Sequence, residues 1–301
     1  MYSVIVPTLN AASDWQQFAE ALLKCVAPER VLVIDSESTD GTPQLARDCG
    51  FKVVDVPRRE FNHGRTRQHA TGVVKDSDIY VFLTQDAILA GPDSINLLLD
   101  AFEDPSIGAS FGRQLPRPNS GPIERHARLF NYPQSSSVRS LESRREMGFK
   151  CIFLSNSFAA YRQTAFEEVG GFPDDVILGE DTVVAAHMLM AGWKIKYVAE
   201  AEVYHSHAYS CLREFRRYFD TGVLHARESW LRQEFGGASG EGKRFILSEL
   251  AHLWPRHATI IPSAFVRTAA KWMGYRLGLH ESNLAPRLKR HFSMHRSFWN
   301  G

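Results

Sequence analysis

Apolar residues open the chain as a short run, Val4-Ile5-Val6, closed by Pro7-Thr8-Leu9-Asn10. A second run, Val31-Leu32-Val33-Ile34, passes directly into Asp35-Ser36-Glu37-Ser38-Thr39-Asp40-Gly41-Thr42. Unbroken apolar runs of this length, rich in β-branched residues and bounded by turn residues, predict strands buried on both faces. Further strands are predicted at 51–56, 79–83 and 107–113. Helices are predicted from about residue 14, at about 64–74 and at about 92–102. Thr42 is the expected N-cap of another helix and Pro43 its first position. This alternation predicts an α/β fold with a mainly parallel sheet and helices on both faces. In open sheets of that kind, ligands sit at the carboxyl ends of the strands, where the polar turns of this chain fall.

The pattern loosens after residue 115. Residues 116–150 are rich in Pro, Ser, Asn and Arg, predicting a long irregular stretch of the kind that forms lids and binding loops, with a mobile segment at 134–140. Strand character resumes at 149–158. Gly170-Gly171-Phe172-Pro173 reads as a turn, and Gly192 closes a helix begun at Glu180. Short strands are expected at 194–198 and 202–205. After about residue 210 the pattern is helical to the end. The expected organisation is therefore a unit over 1–209, with a nucleotide-binding part to about 115 and an acceptor part from about 116, and a helical, basic extension over 210–301.

Composition changes this picture little. The chain has 301 residues and a formal net charge of +1, which predicts no strong attraction to nucleic acid. Its four cysteines (Cys25, Cys49, Cys151 and Cys211) form no CxxC pair, arguing against a zinc site and for a reducing compartment. A strand pattern begins at once, predicting no signal peptide, and no apolar run is long enough to span a bilayer. A cytoplasmic protein is expected. Charge is uneven: from Arg267 onward six further Lys and Arg residues face a single acid, Glu281, with Trp272, Tyr275, Phe292, Phe298 and Trp299 interleaved. Such a tail suits peripheral contact with anionic lipid; a solvated basic face or a dimer contact fits the same composition.

Several residue groups can carry chemistry. Asp86 lies at the mouth of the strand 79–83, where a carboxylate suits a hard divalent cation; a loop or capping role is the alternative. Glu180 and Asp181 lead a helix; one carboxylate there can act as a general base, although acidic first turns are common for dipole reasons alone. His205 and His207 point the same way from a strand and suit a metal, or are simply exposed histidines. Asn62 can cap a helix whose first turns hold Arg65 and Arg67, a site suited to an anion or nucleotide. Arg113, Gln114 and Asn156 fall after later strands, and can face donor sugar or acceptor or serve packing and turn roles.

Taken together, Ser3-Val-Ile-Val-Pro-Thr-Leu-Asn10 and Asp35-Ser-x-Ser-x-Asp-Gly-Thr42 resemble the start of the inverting nucleotide-sugar glycosyltransferases of family 2, which have a GT-A fold. The resemblance implies a metal, Mg²⁺ or Mn²⁺, at Asp86 and His205, with His207 a further candidate. Thr84 stands where the family has the first Asp of an Asp-x-Asp motif. Asp181 would be the catalytic base, with Glu180 its backup or an acceptor-orienting group. Pro7, Thr8 and Asp35 would contact the base of the nucleotide, and Asn10, Ser36, Arg65, Arg67, Gln85 and Asp86 would complete the nucleotide site. Asp35 has a rival role in turn geometry. Arg113, Gln114 and Asn156 would meet donor or acceptor sugar. Phe61-Asn-His-Gly64, Gln85-Asp-Ala87, Phe111-Gly-Arg-Gln114, Asn131-Tyr-Pro133 and Trp272-x-Gly-Tyr-Arg-Leu-Gly278 look like the rhamnosyltransferase branch, whose donor is dTDP-L-rhamnose. The implied acceptor is a cell-surface or lipopolysaccharide glycan, lipid-linked at the inner face of a bacterial membrane. A UDP- or GDP-sugar transferase, or a binding protein that has lost catalysis, are the alternatives. The absence of GxGxxG after the first strand argues against a dinucleotide dehydrogenase.

Overall fold

The computed structural model describes residues 1–236 and 240–300. Its centre is one nine-stranded mixed sheet. The strands are β1 (Tyr2–Thr8), β2 (Val31–Asp35), β3 (Lys52–Asp55), β4 (Ile79–Leu83), β5 (Ile88–Leu89), β6 (Ile107–Leu115), β7 (Ser137–Arg139), β8 (Phe158–Arg162) and β9 (Lys194–Tyr204). Their order is β3-β2-β1-β4-β8-β6-β9-β5, with β7 paired to β9. The half built from β1 to β4 is parallel, as expected. The other half is not: β8 runs antiparallel to both β4 and β6, and β5 and β7 run antiparallel to β9.

Alternation along the strands explains the two cores. Val4, Val6, Val31, Val33, Val81 and Leu83 bury against one helical layer, and Ile5, Leu32, Ile34, Tyr80 and Phe82 against the other. Both faces are covered, so every position of β2 is buried.

This topology gathers distant residues at one edge. Leu83 at the end of β4 pairs with Phe158 at the start of β8, and Leu115 at the end of β6 pairs with Tyr204 at the end of β9. The segments after β1, β2, β4, β6 and β9, and the one before β8, therefore open on the same side.

Four expectations change. Gly41, at φ 88°, sits at the N-cap of the helix Thr42–Asp48, and Asp40 Oδ1 accepts from the Thr42 amide and hydroxyl. Residues 116–150 are far from irregular: Pro122–Asn131 is a helix, started by Pro122 at its first position with Glu124 accepting from the Gly121 N–H, and 137–139 pairs as β7. Residues 149–157 are a 3₁₀ turn and a loop, and only 158–162 pairs. Finally, 194–204 is one strand, whose register shift between Gly112 and Arg113 of β6 separates the two expected segments.

Beyond Ser210, which caps the helix Cys211–Arg227, the chain is helical. Most of the basic, aromatic tail is packed. Phe292, Phe298 and Trp299 join Phe219 and Val223, and Glu281 ties Arg227 and Lys289.

The motif around Gly64 has a packing reason. Asn62 Oδ1 accepts from the Gly64 and Arg65 N–H groups, while its Nδ2 donates to the Val176 carbonyl. A Cβ on Gly64 would stand 1.7 Å from the Pro173 carbonyl oxygen. Backbone cannot yield there, so Gly64→Ala is expected to cost about 1–3 kcal/mol in a urea or thermal melt. Unchanged stability would contradict this docking.

Candidate active site

Asp86, His205 and His207 meet at the open edge, their ligating atoms within 4.8 Å of one another. His205 Nε2 lies 3.3 Å and His207 Nε2 3.4 Å from Asp86 Oδ2. The tautomer of His205 follows from its far side. Arg128, which can only donate, reaches Gln114 Oε1 at 2.6 Å, and Gln114 Nε2 reaches the Ser155 hydroxyl at 3.0 Å. Gln114 therefore presents its oxygen to His205 Nδ1, 2.8 Å away, and that nitrogen must carry the hydrogen. The bare Nε2 then faces a carboxylate oxygen, two acceptors separated by too little for anything but a proton or a cation.

The electrostatics agree. Burial alone would raise the Asp86 carboxyl, yet it lies well below the usual range, lowered by the neighbouring His205 and His207. Burial lowers both imidazoles, His207 to about 3 with His205 adding to the effect. An anionic carboxylate beside two neutral imidazoles is a donor set suited to a divalent cation such as Mn²⁺ or Mg²⁺. Arg117 fixes the loop by donating to the Asp86 carbonyl at 2.8 Å.

Hydrogen bonds and one peptide link lead from this cluster to a pair of neighbouring carboxylates. Gln114 holds Ser155; the next residue, Asn156, donates its N–H to Asp181 Oδ2 at 3.1 Å and its Nδ2 to Glu180 Oε1 at 3.0 Å. Tyr161 fixes the Asn156 side chain from behind. The two acids then part company. Glu180 is buried and paired with Arg67 at 2.9 Å, which keeps it ionised. Asp181 is half-buried, and its surroundings, with the charge of Glu180 alongside, push it up to about 7. Two neighbouring carboxyls with their pKa values driven apart mark Asp181 as the group able to exchange a proton near neutral pH. A cleft of about 640 Å³ lined by Thr182, Phe149, Lys150, Arg144 and Arg244 opens beside this pair.

Several expected contacts turn inward instead. Arg67 is committed to Glu180 and the His63 carbonyl, so it is not available to a nucleotide. Glu180, so held, is no backup base. Arg113 donates to the Tyr132 carbonyl and to Glu202, and Gln114 and Asn156 hold His205 and the acid pair. Arg65 is exposed beside Asp174. Asp35 is fully buried, its oxygens accepting from Thr8, the Ser38 hydroxyl and the Ser38 N–H, which is the turn role. Asn10 joins the first two loops, accepting from the Thr39 N–H, and Gln85 exchanges two hydrogen bonds with the backbone of Leu9. Ser36, by contrast, keeps a buried hydroxyl without a partner at the end of β2.

Sequence reasoning missed Arg128, Tyr209 and Arg217. Arg128 lies on the helix read as a loop; its signal was Gly-Pro with Glu124 three residues after Gly121. Tyr209 stacks on His207 with ring centroids 5.0 Å apart, and the guanidinium groups of Arg213 and Arg217 cover its ring. The charge of Arg217 reaches His205, His207 and Tyr132.

Comparison with known proteins supplies the family. The family model for glycosyl transferase family 2 matches residues 3–170. An O-antigen chain rhamnosyltransferase of Salmonella typhimurium is 46% identical over 99% of this chain and 96% of its own length. An O-antigen chain rhamnosyltransferase of Salmonella anatum is 44% identical with the same coverage. An N-acetylglucosaminyl-diphospho-decaprenol L-rhamnosyltransferase of Mycobacterium tuberculosis is 30% identical over 70% of this chain and 78% of its own. Among solved structures, a mannosyltransferase of Pyrobaculum calidifontis in complex with GDP-mannose and Mn²⁺ aligns with a TM-score of 0.56 at 20% identity, over 99% of this chain and 84% of that one. S. aureus TarS 1–349 with UDP-GlcNAc aligns with a TM-score of 0.56 at 15% identity, over 93% and 91%. At such identities the structural likeness speaks for the GT-A fold alone. The match over more than half the chain, and relatives similar along nearly its whole length, make this protein a glycosyltransferase of family 2.

Proposed function

We propose that this enzyme transfers L-rhamnose from dTDP-L-rhamnose, with inversion, to a hydroxyl of a growing O-antigen glycan of lipopolysaccharide. The similarity to two O-antigen chain rhamnosyltransferases along almost the entire chain carries the choice of sugar and acceptor. The chemistry rests on Asp181. Its carboxylate takes the proton of the acceptor hydroxyl as that oxygen attacks C1 of the sugar, and the bond from C1 to the diphosphate breaks on the opposite face. A β-linked donor then gives an α-rhamnoside. Asp86, His205 and His207 would hold the divalent cation, which when bound supplies positive charge to the departing diphosphate. Arg217, above Tyr209, adds fixed positive charge on the same side. Ser36 offers its free hydroxyl to the nucleotide, and the cleft beside Thr182 receives the acceptor. A lipid-linked acceptor places the enzyme at the inner face of the membrane.

Two measurements follow. Incubation with dTDP-L-rhamnose, UDP-sugars and GDP-sugars in turn, with a lipid-linked oligosaccharide acceptor, is read by mass spectrometry. A deoxyhexose added only from the dTDP donor is expected, and hexose transfer from UDP or GDP overturns the rhamnosyl reading. Separately, Gln114→Leu, which frees the His205 tautomer, is expected to weaken Mn²⁺ binding about 10–100-fold by calorimetry. Gln114→Glu still accepts from both Arg128 and His205 and is expected to restore it. Equal Mn²⁺ affinity in Gln114→Leu contradicts the positioning role.

A further inference from the structure

The helix Ile261–Leu279 is built inside out. Its buried positions are Ala264, Ala270, Gly274 and Gly278. They let it lie backbone to backbone on the helix Cys211–Arg227: a Cβ on Gly274 would stand 2.2 Å from the Phe215 carbonyl oxygen, and one on Gly278 2.1 Å from that of Phe219. Its partly buried cations, Arg267 and Lys271, also turn inward, toward Glu214. The large apolar side chains point the other way. Phe265 is 53%, Val266 58%, Trp272 64% and Met273 47% exposed. At 100° per residue these four fall within about a third of the helix circumference, opposite the small residues. Ordinary surface helices have the reverse polarity, and scattered single apolar residues would not form such a stripe.

Charge identifies the occupant. No Asp or Glu occurs between Glu249 and Glu281; of the four Arg and Lys residues in that interval, Arg256 and Arg276 are exposed, while Arg267 and Lys271 are held by Glu214. At the same 100° per residue Arg276, also exposed, falls on this face itself, toward its C-terminal end. Trp254, just upstream, is 68% exposed. No helix among the described residues is long and apolar enough to cross a membrane. An apolar face with two aromatic residues, an exposed arginine toward its C-terminal end and no acid of its own matches a helix lying in the plane of an anionic bilayer, its apolar side chains among the acyl chains. We infer that the exposed face of Ile261–Leu279 is a docking surface for anionic lipid bilayers. This extends the placement of the enzyme at a membrane, and the surface stands on its own evidence, independent of the donor and acceptor.

The test uses the full chain and vesicles of phosphatidylcholine with and without phosphatidylglycerol. The protein is expected to co-sediment with the phosphatidylglycerol vesicles, to bind pure phosphatidylcholine far less, and to be released by high salt. The double variant Phe265→Ser/Trp272→Ser is expected to lose about ten-fold or more in partitioning, and Arg276→Glu to lose binding to the anionic vesicles selectively. Both change exposed side chains, so thermal melts should match the wild type, and transfer to a short water-soluble acceptor should continue at the wild-type rate. That activity separates failure of the surface from failure of the transferase reading. Absence of binding to anionic vesicles, or equal binding by the double variant, overturns the proposal. So does a concentration-dependent dimer that the double variant dissolves, which would assign the face to a second copy of the chain.

Discussion

Asp181→Asn is expected to lower the turnover number about 10²–10⁴-fold, the usual worth of a positioned general base, while making the fold more stable at pH 8. The stability gain follows from the same environment that suits Asp181 to catalysis. Burial and the charge of Glu180 raise it from an ordinary 3.8 to about 7. Below about pH 4 the folded and unfolded chains both carry the proton. As pH rises toward 7 the unfolded chain releases it while the folded chain retains it, so this group costs the fold stability across that window. Asparagine removes the cost. In the wild type, kcat/KM should rise with pH through an apparent pKa near 7, and that limb should vanish in Asp181→Asn. Glu180→Gln behaves in the opposite way. It strips the buried Arg67 of its anionic partner and is expected to cost about 3–5 kcal/mol of stability. Melts at pH 5 and pH 8, with rates over the same range, distinguish the two acids. A stability loss in Asp181→Asn at pH 8, with its pH profile unchanged, would refute the assignment.

Asp86→Ala carries the second large effect. Asp86 supplies the only carboxylate of the three-residue cluster, since Thr84 stands where an Asp-x-Asp motif would have its first acid. Two neutral imidazoles hold a hard cation weakly. Mn²⁺ affinity is therefore expected to fall by more than about 100-fold, beyond the loss typical of an outer-shell change. His207→Ala should cost less, because His205 keeps its orientation through Gln114 while His207 is more exposed and is held by ring contacts with Tyr209 and His205. Titration of free Mn²⁺ against the three proteins checks the order. Equal affinities would mean that the cation, if any, sits elsewhere.

The parallel half of the sheet was legible because its strands are unbroken β-branched runs ending in turn residues, as Val31–Ile34 before Asp35 makes plain. The resemblance to family 2 singled out Asp86, Asp181 and His205, and the structure brings Asp86 beside His205; their positions alone left loop, capping and exposed-strand roles open. Two things were not legible. Composition hid the helix Pro122–Asn131, because its starting signal is a Gly-Pro step and one Glu rather than an apolar stripe, and Arg128 was lost with it. Periodicity also says that Arg113 and Gln114 point to opposite faces, but not which face a distant partner already occupies. Gln114 meets His205, 91 positions away, and Arg67 meets Glu180 across a comparable gap. Polar residues near strand ends thus meet His205, Glu180 and Asp181, contacts that depend on the antiparallel insertion of β8 between β4 and β6.

Calorimetric titration of the wild type and Asp86→Ala with dTDP, UDP and GDP, each with and without Mn²⁺, tests the donor site most directly. The expected result is Mn²⁺-dependent binding of dTDP, tighter than UDP or GDP, and its loss in Asp86→Ala. Nucleotide binding that ignores Mn²⁺ and survives Asp86→Ala, or no nucleotide binding at all, would contradict a metal-held diphosphate at Asp86, His205 and His207.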